Sequence, residues 1–422
     1  MAPVQTYLGK KITQFLSEKT DTQLAAERIK ISPWDGAILQ GVSITAENDT
    51  LFYGGDINLS VRKNLFFLLN NELDLSYIGL KNIHLHVHTK LGESKSNLTR
   101  FIDHFKSKSS DKPTIFDLDF QDLHLDNVSV SLDNENKGKI DEIKVGEGDV
   151  ELNRLDLKCL DFDIKKIELY QPEFFTSVYN YQCDINDELS VDQIDKSAIL
   201  DILEFSPSAN DAHISVQSLV VHDGKFGKEN KLIPTTEDEG LDYHNFYFDK
   251  INFDLSSFSF TSWEGLTAQL NSLSCFDNHG FKVENVSIDT IHILPYSMTF
   301  NGLSIETEKS DISSDMNFSY ATIYGFKNIL QDIAINFDVD FSEVHVGDLL
   351  HFARGLEKNI FLYQNKNETI DISGKFSGRI NNLSGKDVNI RMGKYFDIAG
   401  VFYTRDLLDS DNTLLNIRID QF

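Results

Sequence analysis

The chain is poor in the residues that brace small secreted domains, since its 422 residues include only 3 Cys and 7 Pro. The cysteines, Cys159, Cys183 and Cys275, are odd in number and far apart, so the sequence predicts neither a disulfide framework nor a zinc-type cysteine pair. It contains no run of about 18 apolar residues, so no helix is predicted to span a membrane. No signal peptide precedes the first predicted strand.

Basic residues are also scarce, with 39 Lys plus Arg against 66 Asp plus Glu and a formal net charge of −27. Nucleic-acid binding depends on neutralising phosphates, so a nucleic-acid partner is not expected. The sequence lacks Ser, Cys or His nucleophile signatures, Gly-rich phosphate loops and paired-carboxylate motifs. We therefore expect a protein that is not an enzyme and that uses no cofactor.

Apolar and polar residues alternate in short segments along most of the chain. In one segment Ile333, Ile335 and Phe337 fall on one side of a strand, whereas Ala334 and Asn336 fall on the other. Because strand side chains have a period of two, each segment forms a ribbon with one apolar and one polar face. The 31 Phe and 14 Tyr suit a half-buried pleated surface. The sequence predicts a mainly β fold, a long antiparallel sheet that must cover one face.

A few short helices are predicted to interrupt this sheet. The first, over residues 1–19, is amphipathic, and it either packs on the end of the sheet or lies on a membrane surface. Others are expected near 61–71, from Ser96 or Asn97 to 105, at 190–205 and at 349–353. The predicted divisions are the N-terminal helix at 1–19, a first β repeat at 20–112, a second at 113–240 and a third segment at 241–422.

One group of side chains suggests metal chemistry. His84, His86 and His88 alternate along a predicted strand, so the three rings share a face with about 7 Å between neighbours. The sequence marks no carboxylate or Cys partner for them. Three histidines on a solvated strand face are more often plain polar surface, and we expect no metal site.

Several stretches resemble the TamB/AsmA-like envelope family of Gram-negative bacteria, in particular its Bacteroidota members. The matching stretches are Pro3-Val4-Gln5-Thr6-Tyr7-Leu8, Phe15-Leu16-Ser17-Glu18-Lys19-Thr20, Ile29-Lys30-Ile31, Leu39-Gln40-Gly41-Val42-Ser43-Ile44, Asp49-Thr50-Leu51-Phe52-Tyr53, Ile78-Gly79-Leu80, Val346-Gly347-Asp348-Leu349-Leu350-His351-Phe352, and Ile372-Ser373-Gly374-Lys375-Phe376-Ser377-Gly378 leading to Leu383. They cover nearly the whole chain, but they are degenerate strand patterns rather than catalytic signatures.

The resemblance implies a sheet curled lengthwise into an open β-groove that carries phospholipid acyl chains between the inner and outer membranes. The physics agrees, because each methylene exposed to water costs about 0.8 kcal/mol, a cost that a continuous apolar strip removes. Representative residues expected on the floor of the groove are Leu85, Val87, Leu123, Leu125, Ile251, Phe253, Leu255, Ile335, Phe337, Val339 and Phe341.

The resemblance also implies a location and partners. Similar family members carry an inner-membrane anchor helix before the Pro-Val-Gln stretch and continue through further β repeats to an outer-membrane barrel partner of the BamA/TamA type. This sequence carries neither part, so we expect a periplasmic, N-terminal portion of a longer protein whose ligand is the acyl chains of phospholipids.

Two alternatives stay open from the sequence. Alternating strands more often build an ordinary packed sandwich or barrel than a lipid conduit. A second function is an assembly scaffold whose sheet edges template the strands of outer-membrane or secreted proteins by β-augmentation.

Overall fold

The computed structural model describes residues 22–32, 36–46, 49–61, 73–100, 118–119, 121–156, 161–179, 213–235, 240–261, 265–322, 332–406 and 414–421. Most of them lie in strands that pair mainly antiparallel, with few short helices between them. The predicted mainly β fold is therefore confirmed. None of the helices among these residues is long and apolar enough to cross a membrane.

The chain divides into two compact units, Met1–Asn186 with Leu219–Pro234 and Asp187–Ser218 with Thr235–Phe422. The strands of the first unit are β1 Thr22–Ser32, β2 Gly36–Ala46, β3 Asp49–Val61, β4 Leu73–Thr89, β5 Leu118–Asp119, β6 Asp122–Asn134, β7 Lys139–Asp156, β8 Asp161–Tyr170, β9 Glu173–Val178 and the part of β10 (His213–Asn230) that begins at Leu219.

In the first unit β1 to β4 pair antiparallel in chain order, and β6 then pairs parallel to β4. β7 pairs antiparallel with β6, and its far edge pairs with β8 along one half and with β9 along the other. β9 and β10 are parallel. Parallel neighbours need a long crossover connection, and both joins follow such connections, residues 90–121 and 179–212.

The second unit contains β11 Phe246–Thr261, β12 Gly265–Asp277, β13 Lys282–Leu294, β14 Ser297–Thr307, β15 Asp311–Ser319, β16 Ala334–His345, β17 Thr369–Arg379, β18 Asn382–Met392, β19 Phe396–Arg405 and β20 Leu414–Gln421. Each strand pairs antiparallel with the next one in the chain. Between β16 and β17 the chain forms helix α1 (Val346–Phe352), a 3-10 turn (Arg354–Lys358) and helix α2 (Ile360–Gln364).

A line of unusual backbone positions crosses the first unit from strand to strand, and we call it the left-handed row. Its members occupy neighbouring positions in the register and are Gly41, Gly55, Asn82, Asn127, Gly146, Gln171 and Asp223. Five of them have φ between 51° and 59°, the two exceptions being Gly55 and Gly146. The Asn127 amide donates to Asn82 Oδ1 at 2.7 Å, and the Gln171 amide donates to Asp223 Oδ2 at 3.2 Å.

The left-handed row changes which side chains face inward. In β4 the apolar positions are Ile78 and Leu80 before Asn82, and Ile83 and Leu85 after it. The alternation thus slips by one residue at the row, as it does at a β-bulge. Gly55 is required at this line because a Cβ would lie 2.7 Å from the Lys81 carbonyl oxygen.

The second unit crosses its sheet with β-bulges that shift the strand register. The shifts of β14 against β15, of β16 against β17 and of β18 against β19 each leave one extra residue, on β14, β16 and β18. Gly302 and Asp387 supply the left-handed conformations in β14 and β18, with φ of 62° and 51°. The shifts fall at facing positions of neighbouring strands, so they follow one another across the sheet, whereas the left-handed row of the first unit keeps the register between β4, β6 and β7.

Two predicted helices are found. The Ser96 hydroxyl accepts the Thr99 N–H at 3.1 Å as an N-cap, and residues 97–100 are helical. The helix predicted at 349–353 is α1, which begins three residues earlier. The helices predicted at 1–19 and 190–205 lie outside the described residues, as does the one predicted at 61–71 except for Val61, which ends β3.

Candidate apolar binding face

The apolar face of the first unit runs on both sides of the left-handed row. Leu85 lies opposite Phe52 of β3 and Val130 of β6, and Val87 lies opposite Leu132. Leu123 and Leu125 fall beyond the row, where Leu123 lies opposite Ile78 and Val150, and Leu125 opposite Leu80 and Gly148. These four predicted floor residues are all half-buried.

The second unit carries two clusters of apolar side chains on its own apolar face. The first is built around the buried residues Leu270, Ile288 and Leu303, and every described member, including Phe253, belongs to β11–β15. Leu255 lies opposite Leu270 in the register, and Ile251 is half-buried on the same strand. Among the described residues, therefore, the strands of the sheet themselves supply the members of this cluster.

The second cluster joins β14 to β18. Tyr320, Ile333 and Ile335 are its buried members, and Phe337 packs against them. The ring of Phe337 meets Phe318 edge-on with centroids 5.2 Å apart. Val339 comes next in the alternation along β16, and it is half-buried opposite Gly374. Ile335 is thus buried, whereas Phe337 and Val339 are both half-buried.

Phe341 leaves the apolar face, which corrects its predicted placement. The register of β16 against β17 shifts between Val339 and Ser342, so β16 carries one residue more than β17 there. Ser342 is buried, whereas Phe341 is 54% exposed and lines a shallow cleft with Asp371 and Arg391. Strict alternation along the sequence predicted one shared face, and the bulge reverses it after Val339.

In each unit, the face of the sheet opposite the apolar face is polar and carries ion pairs. Cross-strand pairs join Lys165 to Glu151 at 2.7 Å in the first unit and Arg391 Nε to Asp371 at 2.8 Å in the second. Exposed pairs of this kind contribute at most about 1 kcal/mol each. Their main consequence is that this face stays hydrated and does not stick to other sheets.

The most strongly perturbed carboxylate on the polar face is Glu168. Lys166, His222 and the Tyr170 hydroxyl all donate hydrogen bonds to it, at 2.6, 3.1 and 3.0 Å. These donors hold the pKa of Glu168 at about 2. Glu168 therefore stays ionised beside Lys166, and its contact with His222 joins β8 to β10.

The three histidines His84, His86 and His88 have different neighbours. His84 Nδ1 contacts the Ser129 hydroxyl, and its ring stacks over Tyr53. His88 Nε2 lies 2.9 Å from Glu135, and His86 meets only the ring of His88 among these groups, at 5.7 Å. Within the described part of the chain, no group of three or more His, Cys, Asp or Glu side chains has a geometry that could hold a metal ion.

Cys275 offers no thiol chemistry. It is buried in β12, and burial, helped by the charges of Asp277 and Asp249, raises the pKa of its thiol to about 11. A thiol that stays protonated at neutral pH is a poor nucleophile. Cys159 and Cys183 lie outside the described residues.

A buried polar joint fastens α1 to the sheet of the second unit, and the sequence did not reveal it. His351 Nε2 lies 2.7 Å from Asp277 Oδ2, and the His351 ring stacks on Phe281 with centroids 4.5 Å apart. Asp348 accepts hydrogen bonds from Thr307 and Ser310 at 2.6 and 2.7 Å. Helix α1 is thereby tied to the β12–β13 and β14–β15 turns.

Burial acts to raise the pKa of Asp277, but hydrogen bonds from His351 and from the N–H groups of Phe281 and His279 hold it below its usual value. His351 lies 74 residues from Asp277 along the chain, so no local spacing pointed to the joint. In the sequence, the only sign of the joint was an Asp at the end of a strand followed by Asn-His-Gly, and this pattern is also a common turn signal.

Comparisons of the chain with protein-family models, with curated proteins and with solved structures found no match.

Proposed function

We propose that the apolar face binds the acyl chains of phospholipids and that the chain is a segment of an envelope protein that conducts them between the inner and outer membranes. The observation that carries this is the half-buried state of the predicted floor residues. Of the eleven, nine are half-buried, only Ile335 is buried, and Phe341 lies on the other face.

Half-burial is informative because of what a finished core looks like. In a packed sandwich, residues on the inner faces meet a second layer and lose nearly all contact with water. Here β11–β15 contribute all described members of their own cluster, and the predicted floor residues on β11 stay half-buried. An acyl chain laid on such a strip would gain about 0.8 kcal/mol for each methylene removed from water.

The charge of the polar face also favours this role. A protein that offers an open apolar strip must avoid pairing with copies of itself, and a net charge of −27 together with the ion-paired outer face opposes such association. The sequence resemblance to the TamB/AsmA-like family adds the periplasmic location, the inner-membrane anchor and the outer-membrane partner to the proposal.

The test is native mass spectrometry with lipid extraction on the 422-residue chain, purified from bacterial cells without detergent. We expect several phospholipids per chain. Val339→Asp should remove most of them, because a carboxylate on the strip would have to be dehydrated beside acyl chains. Phe341→Asp is the matched control on the same strand, since its side chain lies on the polar face and lipid should stay bound.

Circular dichroism and thermal unfolding check that both variants fold. Val339→Trp provides a second test without a charge, because a large ring fills the strip and should also displace lipid. A wild-type chain that is folded and lipid-free, or equal lipid loss in Val339→Asp and Phe341→Asp, would contradict the proposal. The assembly-scaffold function would then be the better explanation.

A further inference from the structure

The second unit exposes a compact group of apolar and aromatic side chains next to α2, which we call the α2 patch. Its apolar members are Leu356, Ile360, Phe361, Tyr363 and Tyr395. Ile360 is 71% exposed, and the other four are between 39% and 55% exposed. Contiguous exposed apolar groups of this kind on a soluble surface mark interaction sites.

The α2 patch is held in a fixed position. Leu362, in the middle of α2, packs against the buried cluster of Val346, Leu350, Ile370 and Met392. The Asn359 side chain caps the helix by accepting the Leu362 N–H at 3.2 Å. The Phe361 ring meets Tyr395 edge-on with centroids 5.9 Å apart. With Leu362 as the anchor, the neighbouring Ile360, Phe361 and Tyr363 project outward from the sheet.

The charge around the patch is opposite in sign to that of the chain. Residues 354–366 contain three basic residues and one acidic residue, in a protein of net charge −27. The Lys366 ammonium lies 5.8 Å from the centre of the Tyr363 ring, and that of Lys394 lies 5.7 Å from Tyr395. Lys358 and Lys394 are both exposed. The patch thus combines apolar tips, tyrosines and lysines in one place.

We propose that the α2 patch docks on the surface of an anionic lipid bilayer. In this arrangement Ile360 and Phe361 enter the boundary between headgroups and acyl chains, while the lysines lie against lipid phosphates. Tyr363 and Tyr395 suit the headgroup level, because their rings are apolar and their hydroxyls polar. A second copy of the chain is a poorer occupant, because a two-fold contact through the patch would bring lysines against lysines.

This inference rests on α2 and its neighbours, and it is independent of the acyl-chain binding proposed for the apolar face. The two use different residues, so they can fail separately. A chain that docks on a bilayer without carrying lipid would retain the α2 patch function and lose the other.

The experiment is flotation of the 422-residue chain with vesicles of phosphatidylglycerol and phosphatidylcholine in roughly equal parts, compared with vesicles of pure phosphatidylcholine. We expect binding to the anionic vesicles that weakens with added salt. Ile360→Asp should lower the partition coefficient about tenfold, since one buried apolar side chain is lost and a charge is gained. Lys358→Glu with Lys394→Glu should lower it at least as much, at about fivefold for each lysine.

Matched controls lie elsewhere in the same unit. Tyr296 is 69% exposed at the β13–β14 turn, and Lys386 is exposed on β18, so Tyr296→Asp and Lys386→Glu should leave vesicle binding unchanged. Val339→Asp should also bind vesicles normally, which separates docking from lipid carriage.

The proposal is overturned by no binding to anionic vesicles, by equal binding to both compositions, or by equal loss in Ile360→Asp and Tyr296→Asp. Self-association that Ile360→Asp abolishes, in the absence of vesicle binding, would assign the patch to a second copy instead.

Discussion

The first unit carries a line of left-handed positions that keeps the strand register, whereas the second crosses its sheet with β-bulges that shift the register and adds a helix across the strand ends. In the first unit the left-handed row passes through Asn82 and Asn127, whose side chains are hydrogen-bonded to each other across the parallel strands β4 and β6. In the second unit Gly302 and Asp387 lie at register shifts of β14 and β18, and the His351–Asp277 joint supplies the long-range connection. The same alternating sequence therefore reaches an open apolar face by two structural routes.

The difference predicts where each unit is vulnerable. A row built from backbone conformations depends on residues that tolerate positive φ. A joint built from side chains depends on complementary partners, and it fails when one of them is removed. Variants that target one device should leave the other unit intact, and hydrogen exchange measured by peptide resolves the two units separately.

The largest effect is expected from His351→Ala. The Asp277 side chain is fully buried, so removing His351 leaves a carboxylate with only two backbone N–H donors and should destabilise the second unit by about 3 kcal/mol. Amide exchange in β12–β15 and α1 should accelerate, whereas exchange in β1–β7 should not. His292→Ala removes an exposed ring on β13 of the same unit and serves as the control. Unchanged exchange in the second unit would mean that the joint does not hold α1.

A smaller effect is expected from Asn127→Val in the left-handed row. Valine is strained at φ of 54°, and the hydrogen bond to Asn82 is lost, so the first unit should be destabilised by about 2 kcal/mol. Asn127→Gly loses the hydrogen bond but relieves the backbone, and it should lie close to wild type. Similar losses for valine and glycine in denaturant unfolding would show that the hydrogen bond, and not the backbone, decides the stability of the row.

The smallest effect is expected from acid. The pKa of Glu168 lies at about 2 in the folded chain, below its ordinary value of 4.5. The folded state therefore binds fewer protons than the unfolded state, so this contribution is present above pH 4.5 and is lost as the pH falls towards 2. Glu168→Gln should flatten the pH dependence of β8–β10 protection over that window and leave β11–β19 as wild type. An unchanged profile would mean that the three donors do not stabilise the folded state.

Much of the fold followed from local pattern. The alternation at Ile335, Phe337 and Val339 placed a strand with an apolar face, and Ser96 marked a helix start. The slip of the pattern was also present in the sequence, because the next apolar residue after Leu125 is Val128, one position later than strict alternation requires. Read as a sign of an inserted conformation at Asn127, that slip would have located the left-handed row.

Phe341 shows where this reasoning stops. Its residue type and spacing match those of Phe337, and only the register against β17 places it on the opposite face. A bulge depends on hydrogen bonds to a neighbouring strand, so the strand's own sequence does not specify it fully. The α2 patch is similar, because Leu362 and Ile360 are equally apolar and only the packing against Met392 and Ile370 decides which of them is half-buried and which is exposed.

By itself the sequence determined that this protein is mainly β, acidic and two-faced, because side-chain alternation and charge are properties of single strands. The tertiary structure decided which residues lie on each face, how β4 and β6 join in parallel, and which distant side chains meet at His351 and Asp277. Those features depend on register and on contacts between residues far apart in the chain, and period-two spacing carries no information about either.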